Sequence, residues 1–161
     1  MSVKTHTRTS ARRAALQVLY QSEITSRDIV RILADKPCVS EEIFLDDYAR
    51  MLLEGVAAHK EEIDAQVGTV SQNWALDRMP IVDRSILRLS IYEMTYVKDV
   101  PISVSINEAV ELAKEFGGED DSHRFVNGIL GRIAKTLEGD AVDTAEKVAD
   151  SPQEPNGSTA E

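Results

Sequence analysis

Two amphipathic helices joined by a short turn constrain the fold of this chain more than any other stretch of its sequence. Apolar residues recur at helical spacing in PISVSINEAVELAKEF and again in SHRFVNGILGRIAKTL, within residues 101–137. The intervening sequence GGEDD is short, and its two glycines end a helix readily. The pattern therefore predicts a helical hairpin whose second helix begins at Asp121 or Ser122.

Local chemistry within this hairpin gives two further predictions. Ser105 and Glu108 have the spacing of a capping box, which places Ser105 at the N-cap of the first helix. Gly128 and Gly131 fall inside the second helix, where each costs about 1 kcal/mol relative to alanine. Because nothing in the local sequence favours glycine there, we expect another backbone to pass close to both.

The remainder of the chain also has the 3.6-residue period of helices. One helix is predicted to start at Thr9 or Ser10, a shorter one follows, and a third bends or ends near His59. Residues 81–96 are apolar around most of the helical circumference, which is typical of a central, buried helix. No stretch alternates with a period of two for long enough to form a sheet. The expected fold is all-α, with about seven helices.

Charge is distributed unevenly along the 161 residues, which are enough for one domain. The net charge of −10 argues against a nucleic-acid partner, but residues 1–13 contain cations and no acid: Lys4, Arg8, Arg12 and Arg13. Residues 138–161 contain seven acids and a single lysine. We predict a flexible basic arm over residues 1–9, a helical domain over residues 10–138 and a disordered acidic tail over residues 139–161.

The placement of Arg12 and Arg13 gives a second reason to consider an anionic partner. Both fall in the first turn of the predicted first helix, where positive charge opposes the helix dipole. A nearby anion would relieve this unfavourable interaction. The alternative is a solvated basic end without a role.

No combination of residues indicates catalysis. Cys38 is the single cysteine, the three histidines lie in unrelated contexts, and the nucleophile-elbow, phosphate-loop and zinc-protease motifs do not occur. We therefore predict a binding protein that has no catalytic residue, metal or cofactor. The chain has neither a secretory signal nor an apolar run of the ~20 residues that a membrane span needs, so a cytoplasmic protein is expected.

Three separated motifs point to a known family. RRAALQVLYQ, DRSILRLSIYE and the pair INEAVELAKEFG with SHRFVNGIL resemble, in this order, the NusB family of bacterial transcription antitermination factors. The resemblance implies two packed three-helix bundles. It also implies binding of boxA-type single-stranded RNA together with NusE, a ribosomal protein of the small subunit, in the RNA polymerase antitermination complex that supports ribosomal RNA transcription. Monomer and homodimer both occur among NusB-like proteins and stay open.

The resemblance also implies which residues bind. It places the RNA site at the basic N-terminus and around the turn of the hairpin, at Lys4, Arg8, Arg12, Arg13, Phe116, Asp121 and Phe125. It places the NusE site at Tyr20 and Asp83, with Arg84 as a neighbouring candidate. Arginine suits phosphate, aromatic rings stack on unpaired bases, and tyrosine buries a large ring at an interface.

Other interpretations of the same residues stay open. Phe116 and Phe125 also fall on apolar stripes typical of a core, and Asp83 suits the first turn of a helix, where the dipole favours an acid. The turn is one residue longer than the family pattern, so Asp120 or Asp121 takes the position that faces RNA; we expect Asp121. The alternative functions are an RNA-binding accessory in ribosomal RNA modification and a protein adaptor that does not bind RNA.

Overall fold

The computed structural model describes residues 2–35, 45–71 and 75–149, with the side chains of residues 7–35, 45–71 and 75–139. Within these ranges the chain is helical and contains no strand. Its elements are α1 (Ser2–Thr25), α2 (Ile29–Ala34), α3 (Asp47–Val70), a 3-10 helix (Leu76–Arg78), α4 (Ile81–Tyr96), α5 (Ile102–Phe116) and α6 (Ser122–Ala149). The prediction of an all-α fold is confirmed.

The α-helices of the described chain form two groups of three. α1, α2 and α3 pack against one another, and so do α4, α5 and α6. α4 also packs against α1 and α3, so it lies between the two groups. Its side chains are buried on several faces, as Ile86, Leu87, Leu89 and Ile91 show. This arrangement confirms two packed three-helix bundles and the central position predicted for residues 81–96.

α3 is interrupted at His59, where the sequence left open either a bend or the end of a helix. The backbone of His59 has φ −115° and ψ 16°, which lies outside the helical region. Its ring stacks on those of Tyr92 and Tyr96 from α4, with centroids 6.0 and 4.2 Å away. One turn earlier, a Cβ on Gly55 would lie 1.9 Å from the Tyr92 ring, so only glycine leaves this space. Aromatic packing against α4 therefore accompanies the interruption of α3.

Two helix boundaries differ from the prediction. α1 begins at Ser2, so helical backbone extends through the segment assigned to a flexible arm. Arg12 and Arg13 consequently lie well inside α1, and the helix dipole gives no reason to expect an anion beside them. α6 continues past Gly139 to Ala149. Helical geometry does not measure mobility, so the flexible arm and the disordered tail stay predictions; Cys38 and residues 150–161 lie outside the described residues.

α5 starts one turn earlier than the capping box suggested. Pro101 takes the N-cap position with φ −58°, and Ser105 lies inside the helix. Proline suits a helix start because its φ is close to helical and it needs no partner for an N–H group. The buried Ser105 hydroxyl donates to Glu93 Oε1 at 2.7 Å instead of capping the helix. Because a buried carboxylate without donors is costly, Ser105 is needed in the interior, and the capping box was a wrong prediction.

Glycine is required by close packing in the turn but not in α6. α6 begins at Ser122, as predicted. In the preceding turn, a Cβ on Gly118 would lie 2.7 Å from the Cβ of Pro80. A Cβ on Gly128 or Gly131 would meet nothing within 4 Å. The expectation that another backbone passes close to those two glycines was therefore wrong.

Candidate nucleic-acid interface

A buried carboxylate on α4 joins four helices beneath the basic side of α1. Glu93 accepts hydrogen bonds from Arg12 Nε at 2.9 and 3.1 Å. It also accepts from the Ser105 hydroxyl at 2.7 Å and from the Tyr48 hydroxyl. Burial and this last hydrogen bond raise the pKa of Tyr48. We refer to Glu93, Arg12, Tyr48 and Ser105 as the Glu93 cluster, and it fixes α1 relative to α3, α4 and α5.

Arg12 belongs to this cluster and is only 4% exposed. Its terminal nitrogen Nη1 also lies 3.6 Å from Glu108 Oε1 on α5. The guanidinium is thus paired with acids in the interior and has no surface to offer a phosphate. The structure therefore places Arg12 in the interior, whereas the resemblance implies that this residue contacts RNA directly.

The other two arginines of the basic segment lie at the surface, where acids from the second bundle pair with them. Arg8 donates to Asp99 Oδ2 at 2.9 Å, and this hydrogen bond lowers the pKa of Asp99 and raises that of Arg8. Arg13 forms an ion pair with Glu115 of α5. The Arg13 guanidinium also lies 6.0 Å from the centre of the Phe116 ring. An exposed cation and an exposed aromatic ring therefore stand side by side.

Phe116 and Tyr20 line one open groove between α1, α4 and α5. The groove has a volume of about 280 Å³, and its walls are Leu16, Gln17, Tyr20, Val82 and Phe116. Phe116 is 37% exposed and Tyr20 is 42% exposed, so neither ring belongs to the core. The resemblance assigns these two residues to different partners, yet the structure brings both rings to a single surface.

Asp83 holds the turn between α5 and α6 from inside the protein. Its buried carboxylate accepts hydrogen bonds from the Gly118 amide at 3.3 Å and from the Ser122 hydroxyl at 2.9 Å. Asp83 is only 2% exposed, so the structure gives its carboxylate a role within the fold, and the direct partner contact implied by the resemblance stays a prediction. Asp120 and Asp121 are both exposed, and the position that faces RNA stays a prediction.

Phe125 lies on a second depression, separate from the groove. The residue is half-buried and lines a space of about 480 Å³ between the 3-10 helix, the start of α4 and the turn. Asp121 and Arg84 line the same depression. Arg84 donates to Glu23 Oε2 of α1 at 3.0 Å, so it connects the two bundles. Four of the residues expected to bind RNA thus lie on two neighbouring surfaces, one with Arg13 and Phe116 and one with Asp121 and Phe125.

An ion-pair cluster between the bundles was missed by sequence reasoning. Arg88 of α4 is buried, donates to Asp64 Oδ1 at 2.9 Å and pairs with Glu23. Burial alone would lower the pKa of Arg88, but its hydrogen bonds to the two acids outweigh burial and raise it. Burial likewise opposes ionisation of Glu23, and the hydrogen bonds from Arg88 and Arg84 outweigh it and lower the pKa. The sequence signal that could have indicated this cluster was Arg88 itself, an arginine within a helix that is apolar on most faces.

Three further observations complete the description of the surface. Among the side chains that the structure describes, no group of three His, Cys, Asp or Glu residues could hold a metal ion. None of the helices in this part of the chain combines the length and apolar character that crossing a membrane requires. Lys4 lies in α1, and its side chain falls outside the described part.

The described chain is all-helical, and one part of its surface combines Arg13 with the exposed rings of Phe116 and Tyr20. This combination is typical of proteins that recognise nucleic acid. A family model described as the NusB family matches residues 9–135, and the chain belongs to that family.

Curated relatives from several bacteria are similar over most of their length. Transcription antitermination protein NusB of Myxococcus xanthus is 46% identical over 135 residues, covering 81% of this chain and 96% of the relative. The proteins of the same name from Desulforamulus reducens and Bacillus subtilis are 48% and 43% identical. They cover 78% and 81% of this chain, and the matches span 88% and 97% of the relatives. The predicted resemblance is confirmed, and with it the prediction of a binding factor in place of an enzyme.

Solved structures of the family share the fold. T. maritima NusB matches with a TM-score of 0.70 and 38% identity, covering 80% of this chain and 90% of that chain. A complex of the antitermination factors NusB and NusE with double-stranded RNA matches with a TM-score of 0.67 and 29% identity, covering 80% and 96%. The same helical arrangement therefore occurs in a protein that has been crystallised with RNA and NusE.

Proposed function

We propose that this chain is a transcription antitermination factor that binds boxA-type single-stranded RNA together with NusE. In this role it acts in the cytoplasm, within the RNA polymerase antitermination complex, on nascent ribosomal RNA. The names of the relatives and the solved complex with NusE and RNA support the proposal. The observation that carries it is the exposed pair of Arg13 and Phe116 beside the groove of Tyr20.

Arg13 and Phe116 offer the two kinds of contact that a single strand needs. A guanidinium binds phosphate oxygens through parallel N–H groups, and an exposed ring stacks on an unpaired base. Arg8 and Lys4 extend the phosphate contacts along α1. In this proposal Arg12 acts indirectly, because the Glu93 cluster holds it in the interior, where it fixes the helix that carries the other cations.

Asp121 and Phe125 provide a second contact at the turn. A carboxylate accepts hydrogen bonds from the amino group of cytosine or guanine, and the Phe125 ring borders the depression beside it. Because this depression adjoins the turn that follows Phe116, the strand is proposed to cross the turn from the arginines of α1 toward α6.

Tyr20 is the proposed anchor for NusE. It presents a large ring with a hydroxyl at the groove, and such residues contribute much of the binding energy of protein interfaces. The net charge of −10 favours encounter with a basic ribosomal protein. Asp83 and Arg84 contribute indirectly, Asp83 by holding the turn and Arg84 through its pair with Glu23.

Titration of labelled RNA tests the proposal. Single-stranded boxA, a scrambled single strand and a duplex are each titrated with the protein, with and without NusE. We expect boxA to bind more tightly than the other two and NusE to tighten it further. Phe116→Ala should lower the affinity for boxA about tenfold, which corresponds to the loss of one stacked base. Tyr96→Ala is the matched control, because Tyr96 is 41% exposed but stacks on His59 of α3 and is not among the residues that line the groove.

The outcome also separates the alternative functions. Equal binding of boxA and scrambled RNA in all conditions, with Phe116→Ala no different from Tyr96→Ala, would show that the proposal is wrong. Binding of NusE without any binding of RNA would instead favour the protein adaptor.

A further inference from the structure

The exposed arginines that bind phosphate in the proposed function are already paired within the protein. Arg13 forms its ion pair with Glu115 of α5, and Arg8 pairs with Asp99 at 2.9 Å, just before α5 begins. Each carboxylate thus occupies a position beside a guanidinium that a phosphate oxygen would take. A phosphate that binds the same terminal nitrogen of either arginine displaces the acid from it.

These exposed pairs exchange more readily than the buried pair beneath them. The side chains of Arg13 and Glu115 are 48% and 42% exposed, whereas those of Arg12 and Glu93 are 5% and 3% exposed. Exposed ion pairs contribute little because water screens them and both side chains lose conformational freedom. A released Glu115 returns to water, whereas a buried charge that loses its partner is strongly destabilised. The outer pairs can therefore open while the buried pair keeps α1 in place.

We propose that Glu115 and Asp99 are intramolecular competitors that set the RNA affinity of this chain, an inference that rests on the proposed RNA-binding function. In the free protein they hold Arg13 and Arg8, and a phosphate competes with each of them for the guanidinium nitrogen that it occupies. A carboxylate competes with phosphate and not with a base. The affinities for boxA and for scrambled RNA are therefore lowered by the same factor. Phe116 stays open to a base throughout, so discrimination between sequences is retained.

Glu115→Gln removes one competitor, and Glu111→Gln is its matched control. Glu111 lies one turn earlier on α5 and pairs with Lys114 at 3.3 Å, not with an arginine of α1. Both substitutions change the net charge equally, so they share any general electrostatic effect on RNA. We expect Glu115→Gln to tighten both boxA and scrambled RNA two- to fivefold more than Glu111→Gln, which corresponds to roughly 0.4–1 kcal/mol. Asp99→Asn should act in the same direction through Arg8.

A double-mutant cycle shows whether Glu115 acts through Arg13. In an Arg13→Ala background, Glu115→Gln should have no larger effect than Glu111→Gln, because no guanidinium is left to release. Urea unfolding of every variant establishes that each is folded to the same extent in the titration.

The results separate this inference from the proposed function. If the wild-type protein does not bind RNA, both are overturned. If Arg13→Ala weakens RNA binding while Glu115→Gln only matches Glu111→Gln, the RNA surface stands and the competition is overturned. An effect of Glu115→Gln that persists in full after Arg13→Ala also overturns the competition, because it would then reach RNA by another route.

Discussion

At the scale of single residues, Glu93 occupies the interior between α1, α3, α4 and α5 and receives donors on both oxygens. Arg12 contacts both of them, while Tyr48 and Ser105 each supply a hydroxyl. A buried carboxylate is tolerated when such donors replace its lost water. Removal of one partner from a buried ion pair costs more than the pair itself contributes, because the remaining charge stays buried without compensation.

Glu93→Gln should therefore lower the free energy of unfolding by about 3 kcal/mol, since Arg12 stays charged and loses its carboxylate. Urea unfolding monitored by circular dichroism measures the change. Glu62→Gln is the control, because Glu62 is exposed and contacts only surface groups among the described residues, the Tyr96 hydroxyl and the His59 ring, so the change in stability should be less than about 0.5 kcal/mol. Similar small changes in both variants would contradict the structural role of the Glu93 cluster.

Glu23 gives the stability a pH dependence whose sign follows from its pKa. Hydrogen bonds from Arg88 and Arg84 outweigh burial and place this pKa below the ordinary 4.5. The folded state then binds fewer protons than the unfolded state, so the contribution is complete above about pH 4.5 and is lost as pH falls through the folded pKa. Glu23→Gln should destabilise at neutral pH and progressively less below pH 4.5, as measured by urea unfolding at several pH values. A deficit that is equally large in acid would contradict this assignment.

At the scale of helices, the sequence predicted the features that depend on local pattern. The apolar period identified α4, the α5–α6 hairpin and the interruption at His59, because burial along one helix follows from residues three and four apart. It could not reveal the ion pairs, which join distant parts of the chain. Arg12 and Glu93 are 81 positions apart, and Arg13 and Glu115 are 102 positions apart. Whether a basic segment is neutralised therefore depends on how the two bundles pack.

The same limit explains why some candidate site residues are exposed, as binding residues are expected to be, and others are buried. Phe116 and Tyr20 are at the surface because each lies at the edge of an apolar stripe, beside the groove. Arg12 is buried because it pairs with Glu93 of α4. Asp83 is buried because it holds the turn before α6, where its carboxylate accepts a hydrogen bond from Ser122. Residue type and helical position do not show which charged side chain meets such a group, so a charged residue that binds a partner cannot be distinguished from one that holds the fold.

Replacing a glycine of the hairpin by alanine should have opposite effects on stability in α6 and in the turn. Gly128→Ala should raise the free energy of unfolding by about 0.5–1 kcal/mol, because alanine restricts the unfolded chain and its Cβ meets nothing. Gly118→Ala should lower it, because its Cβ would lie 2.7 Å from that of Pro80. Urea unfolding of the two variants measures both effects. Destabilisation by Gly128→Ala would show that α6 is approached more closely than this structure indicates.

At the scale of the whole molecule, the groove is made by both bundles. Tyr20 comes from α1 of the first bundle, whereas Val82 and Phe116 come from α4 and α5 of the second. Its shape therefore depends on the relative position of the bundles, which the Glu93 cluster and the pairs of Arg88 hold in place. Binding sites often occur where separately packed units meet, since each can supply one wall.

Tyr20→Asp should weaken the complex with NusE by about 2 kcal/mol or more, because it replaces an exposed interface ring with a charge. Isothermal titration calorimetry against purified NusE gives the change. Tyr96→Asp places the same charge at a tyrosine of similar exposure at the far end of α4 from Val82 and should leave the affinity unchanged. Equal affinities for the wild type and the folded Tyr20→Asp variant would remove the groove from the interface.

The shared groove has a thermodynamic consequence for regulation. The proposed function places NusE at Tyr20 and RNA at Phe116, so that each ligand borders the surface that the other uses. Linkage then requires reciprocity: the factor by which NusE changes the Kd for RNA equals the factor by which RNA changes the Kd for NusE. Because NusE tightens RNA binding in the proposed function, occupancy of the RNA site would rise with the concentration of unassembled NusE, and the supply of one ribosomal protein would regulate the transcript that its own ribosomes require.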